Sequence, residues 1–122
     1  MDVLIVDDSA AIRKILQRVL RQTELGFGEI IEAANGAEAL DKLEKQDFGL
    51  VLSDINMPTM DGIEFLREIR RRGKWPNLPI MMITTEVSQS TVEEAVQCGA
   101  KGYVGKPFTA EHIRDKLTEL IG

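Results

Sequence analysis

The chain is poor in cysteine, tryptophan, tyrosine and histidine, with one of each, and aromatic residues make up only 5% of it. A lone Cys98 cannot form an internal disulfide, so nothing in the sequence asks for an oxidising compartment. No apolar run approaches the roughly 20 residues that a membrane span needs. The opening Met-Asp-Val-Leu-Ile-Val-Asp-Asp sets acids where a signal peptide would carry basic residues. A cytoplasmic protein with no membrane association is therefore expected. Positive charge is also in deficit: 15 Lys and Arg against 20 Asp and Glu give a net charge of −5, which argues against sequence-independent nucleic-acid binding. Linkers, low-complexity tracts and repeats are missing too. The 122 residues read as one domain, 1–122, long enough to bury a core without disulfide or metal staples.

What is present is an alternation of short apolar runs and helical stripes. Val3 to Val6 is a continuous, β-branched-rich run that suits a strand covered on both faces. Ser9 can cap a helix in which Ile12, Ile15, Leu16, Val19 and Leu20 form the apolar face, with Arg13, Lys14, Gln17, Arg18 and Arg21 opposite. Gly26 and Gly28 close that unit. Glu29 to Ala33 is a weaker strand, and Asn35 caps a helix carrying Ala37, Ala39, Leu40 and Leu43.

Leu50 begins a third strand that breaks at Asp54, and Ile63, Leu66 and Ile69 stripe the helix after Gly62. Ile80 to Ile83 is a fourth strand, ended by Thr84-Thr85-Glu86. Val92, Ala95 and Val96 give the fourth helix a thin apolar face, and Cys98-Gly99 ends it. A fifth strand, Lys101 to Gly105, contains Tyr103, and Ile113, Leu117, Leu120 and Ile121 stripe the last helix. Five strand-helix units predict an α/β fold, a doubly wound, five-stranded parallel sheet with five helices.

In such a sheet Asp7, Asp8 and Asp54 all follow strands and lie at one edge. With strand order 2-1-3-4-5, as in flavodoxin-like folds, the first and third strands are neighbours, about 5 Å apart. Like charges at that spacing repel by roughly 3 kcal/mol at an effective dielectric near 20, so three carboxylates either hold a proton or hold a cation. An all-oxygen site with room for water and phosphate suits Mg²⁺. Lys106 after the fifth strand and Thr84 after the fourth bring an ammonium and a hydroxyl to the same edge. Together these groups suit phosphoryl transfer, for which a carboxylate is an established acceptor. Taken singly, each residue would be an ordinary cap or solvated charge; their joint placement makes a site.

Five motifs in order resemble the receiver domain of the two-component response-regulator family, and within it the single-domain chemotaxis members of the CheY type. They are Asp7-Asp8-Ser9 with Arg13; Ser53-Asp54 with Asn56-Met57-Pro58 and Met60-Asp61-Gly62; Thr84; Gly99-Ala100 with Gly102-Tyr103; and Lys106-Pro107-Phe108. The resemblance implies that Asp54 accepts a phosphoryl group from a sensor histidine kinase. It further implies that Asp7, Asp8, Asp54 and the backbone carbonyl of Asn56 ligate Mg²⁺, and that Lys106 pairs with the phosphoryl group. Thr84 would be the switch hydroxyl, Tyr103 the aromatic that follows it, and the Lys106-Pro107 bond cis. No organic cofactor is expected.

The protein would be a signalling switch rather than an enzyme, limited to self-phosphotransfer and slow autodephosphorylation. Where family members often carry Ala or Gly after the switch hydroxyl, this chain has Thr85, which predicts slower loss of phosphate. The expected target is another protein, docked on the face of helix 4, strand 5 and helix 5, with a flagellar motor switch the first candidate and a monomer the expected state. A phosphorelay intermediate, or the receiver of a larger regulator, would use the same pocket. An aspartyl-phosphate phosphohydrolase would need an acid two residues after its nucleophile, and position 56 is Asn. His112 and Cys98 read as surface and packing residues. The basic residues Arg67, Arg70, Arg71, Arg72 and Lys74 read as a solvated face.

Overall fold

A computed structural model describes residues 1–85 and 87–121, leaving Glu86 and Gly122 outside the described residues. The elements alternate as expected: β1 (Val3–Val6), α1 (Ala10–Gln22), β2 (Ile30–Ala33), α2 (Gly36–Lys45), β3 (Leu50–Ser53), α3 (Gly62–Arg72), β4 (Ile80–Thr84), α4 (Gln89–Gln97), β5 (Gly102–Gly105) and α5 (Ala110–Ile121). All pairings are parallel and the strand order is β2-β1-β3-β4-β5. Every residue of β1, β3 and β4 is buried, which is why those strands read as unbroken apolar runs. The edge strands β2 and β5 are only partly buried. The weaker sequence signal of β2 follows from that.

Two cores flank the sheet. On one face α2, α3 and Ala95 of α4 pack around Phe65, Leu40 and Met82; on the other, α1 and α5 pack around Leu16, Ile113 and Leu117. Ser9 and Asn35 cap their helices through side-chain oxygens, as expected. Helix α1 ends at Gln22, and the Thr23 hydroxyl donates to the Leu20 carbonyl in its last turn.

Three side chains depart from the sequence reading. Ile15 lies within the apolar stripe of α1 yet is exposed, since the buried face is narrower than the stripe. Val96 of α4 is exposed as well, leaving Ala95 as that helix's only buried residue. Arg13, expected on the solvated side of α1, is instead half-buried. Its Nε pairs with Glu32 of β2 at 2.8 Å and its Nη1 donates to the Asp7 carbonyl at 2.6 Å.

Candidate functional site

Register brings the site together. Val6 pairs with Ser53, so Asp7 and Asp54 each leave the sheet one residue later, side by side, with the Asp54 amide donating to the Val6 carbonyl at 2.9 Å. Thr84 pairs with Gly105, and the amide of Lys106 donates to the Thr84 carbonyl at 2.9 Å. Parallel strands in this order therefore deliver two acids and a lysine to one edge.

Both acids are buried. Each gives one oxygen to a backbone amide: Asp7 Oδ1 accepts from Ser9 at 2.9 Å and Asp54 Oδ1 from Ile55 at 2.7 Å. The other two oxygens share Lys106, whose Nζ lies 2.8 Å from Asp7 Oδ2 and 3.1 Å from Asp54 Oδ2. Burial alone would lower the Lys106 pKa. The hydrogen bond to Asp7, together with the charge and hydrogen bond of Asp54, outweighs burial and holds the ammonium above its ordinary value.

Asp8 completes the group from an exposed position, and Asp7, Asp8 and Asp54 each present an oxygen within 4.8 Å of the others. Among the described residues the Asp8 carboxylate has no hydrogen-bond partner. Three carboxylates against one ammonium leave excess negative charge in a partly desolvated pocket, and the donors are all oxygen, a set that fits Mg²⁺.

Thr84 is fully buried at the end of β4, while Thr85, next to it, is exposed. Tyr103 is 42% exposed and points away from the core, more open than a half-buried edge residue would be. Asn56 is exposed in the β3–α3 loop, two residues past Asp54. The Lys106-Pro107 bond is cis.

Loop geometry depends on Asp61, Gly62 and Glu64. Asp61 and Glu64 form a reciprocal capping box at the start of α3. An Asp followed three residues later by Glu was a visible signal for it. The Gly62 amide donates to the Ile55 carbonyl at 2.7 Å, and a Cβ at Gly62 would run into the Asp54 carbonyl and the Ile55 Cα. Only glycine lets α3 begin so close to the acid pocket.

The basic residues of α3 and its exit loop are mostly solvent-exposed, as expected, and most of them are also ion-paired. Arg67 pairs with Glu94, Arg71 with Glu68, Arg72 with Glu68 and Glu44, and Lys74 with Glu44. Hydrogen bonds from Arg71 and then Arg72 pull the Glu68 carboxyl down to about 2. His112 is exposed on α5, and Cys98 is half-buried at the end of α4.

A family model described as the response regulator receiver domain matches residues 3–118. Chemotaxis protein CheY-3 of Vibrio cholerae is 43% identical over 121 residues, 99% of this chain and 92% of that protein. The chemotaxis protein CheY homolog of Campylobacter jejuni is 38% identical over 123 residues, 100% of this chain and 93% of that protein. Among solved structures, chemotaxis protein CheY4 of Vibrio cholerae superposes with a TM-score of 0.88 at 38% identity, covering 98% of each chain. A chain of the CheX-CheY-BeF3-Mg+2 complex from Borrelia burgdorferi gives 0.89 at 32% identity, covering 98% of this chain and 87% of that one. Among the described residues, no helix is long and apolar enough to cross a membrane.

Proposed function

This chain belongs to the response regulator receiver domain family and is homologous to CheY-type chemotaxis proteins, and from that premise we propose a phosphorylation-operated switch that takes its phosphoryl group on Asp54. Lys106 supports this role, because its one ammonium bridges the buried carboxylates of Asp7 and Asp54. A carboxylate oxygen of Asp54 attacks the phosphorus of a partner kinase's phosphohistidine. The new P–O bond forms as the P–N bond breaks, and the imidazole leaves with the bonding pair and takes up a proton from solvent. Lys106 exchanges a carboxylate partner for a phosphoryl oxygen and offsets its charge.

Receiver domains bind Mg²⁺ at an acidic pocket, and here Asp7, Asp8, Asp54 and the Asn56 carbonyl would hold it. When bound, the ion neutralises charge on the transferring phosphoryl oxygens. A Borrelia relative solved with Mg and BeF3, a phosphoryl mimic, supports this assignment.

The Thr84 hydroxyl then moves to the phosphoryl group, and Tyr103 turns inward from its exposed position. The face formed by α4, β5 and α5 changes with it. Val87, Val96 and Tyr103 expose apolar surface on and beside α4 and β5, which supports target binding there. The target is a protein of chemotaxis, with a flagellar motor switch the first choice, and the switch works in the cytoplasm as a monomer. Thr85 restricts water's approach and slows autodephosphorylation.

Intact mass after incubation with Mg²⁺ and acetyl phosphate tests the central step. Wild type should gain one phosphoryl group, about 80 Da, only with Mg²⁺, and Asp54→Ala should gain none. An adduct of equal yield on Asp54→Ala, or no adduct and no beryllofluoride binding in wild type, would overturn it. Thr85→Ala should lose phosphate faster; an unchanged decay rate would remove that residue's role.

A further inference from the structure

At the sheet edge opposite the acid pocket, the C-terminal ends of α3 and α4 and the loops leaving them enclose a cavity of about 310 Å³. Its floor is apolar and buried, made by Leu66, Ile69 and Ile80; half-buried Trp75, Leu78 and Cys98 form the walls. That volume is at the small end of ligand pockets, which run from about 300 to 1,000 Å³. Gly73 and Gly99 form the rim with φ of 66° and 114°, and a Cβ on either would meet nothing within 4 Å.

The charge around this cavity is one-sided. Arg70 and Lys101 line it and no carboxylate does, in a chain of net charge −5. Arg70 spends one of its donors on the Gln97 carbonyl at 2.7 Å and keeps the rest. Its neighbours Arg67, Arg71, Arg72 and Lys74 are each paired with a glutamate, whereas the Lys101 ammonium has no partner among the described residues. An apolar slot walled by an indole, with Arg70 and Lys101 and no carboxylate in its lining, suits a flat apolar body that carries one acid group.

We propose that this cavity binds a small aromatic anion, its rings against Trp75 and Leu78 and its acid group at Lys101 and Arg70. The site is separate from Asp54 and does not depend on phosphoryl chemistry.

The chain supplies its own reporters, because its only tryptophan and only cysteine both line the cavity. Anilinonaphthalene sulfonate is the probe, and phenylnaphthylamine, which lacks the sulfonate, is its uncharged counterpart. The sulfonate should bind one-to-one and saturably, quench Trp75 emission and slow alkylation of Cys98. Phenylnaphthylamine should bind about tenfold more weakly, the worth of one charge-assisted hydrogen bond. Lys101→Glu, at an exposed side chain whose loss should leave the circular dichroism spectrum unchanged, should weaken the sulfonate by a similar factor, and Lys101→Arg should restore it. Equal affinity for the two probes would overturn the anion assignment. Binding that leaves Trp75 emission and Cys98 alkylation unchanged would overturn the site.

Discussion

Helices α3 and α4 lie on the same face of the sheet and touch, yet they are held by different forces. Helix α3 buries Ile63, Phe65, Leu66 and Ile69, begins in a capping box and ends in a left-handed Gly73. Helix α4 buries Ala95 alone. Much of its attachment comes from α3 itself, through Arg67 to Glu94 at 3.0 Å and Arg70 to the Gln97 carbonyl at 2.7 Å. Burial fixes α3 in one place, because moving it would open a cavity. Solvent-exposed polar tethers can be exchanged for water at little cost, so α4 is held less firmly than α3. A switch needs one element of each kind.

Phe65→Ala should lower the unfolding free energy by about 3–5 kcal/mol in denaturant titrations, while Val96→Ala in α4 should stay within about 0.5 kcal/mol. Comparable losses at the two sites would show that α4 is anchored as firmly as its neighbour.

A smaller effect separates the acid pocket from both helices. Because the folded state raises the Lys106 pKa, its contribution is fully present below the unfolded value near 10.4. The contribution is lost as pH rises through the higher folded pKa. Wild type should therefore lose stability on the alkaline side by more than Lys106→Met does. Parallel alkaline curves for the two would deny the bridge any energetic role.

The smallest effect is local. Replacing Arg67 and Arg70 together by Ala should speed amide hydrogen exchange in α4 and leave α3 unchanged, with a global stability change below about 1 kcal/mol. Slowed or unaltered exchange in α4 would mean that the tethers do not hold it.

The parts legible in the sequence are those that local pattern encodes. Buried central strands announce themselves as apolar runs, and Ser9 and Asn35 announce helix starts. Asp7, Asp8, Asp54 and Lys106 could be placed together because each lies within two residues of a strand end, and parallel strands share an edge. What escaped depends on partners far along the chain. Arg13 meets Glu32, Arg67 meets Glu94 and Lys74 meets Glu44, separations of 19, 27 and 30 residues. No local spacing marks such pairs. Exposure of Ile15 and Val96 was hidden for a related reason, since a stripe gives a helix face but not how much of it a neighbour covers.

The position of Trp75 decides what light can report about this protein. It precedes β4, whereas Thr84 ends that strand, a span of roughly 16 Å for five residues. Mg²⁺ or a phosphoryl group at Asp54 is therefore too distant to quench the indole by contact. Indole emission should stay silent during simple occupancy of the acid pocket. A spectral change on phosphorylation would then be a signal relayed through the sheet or its helices, and a fluorimeter alone would distinguish filling the pocket from throwing the switch.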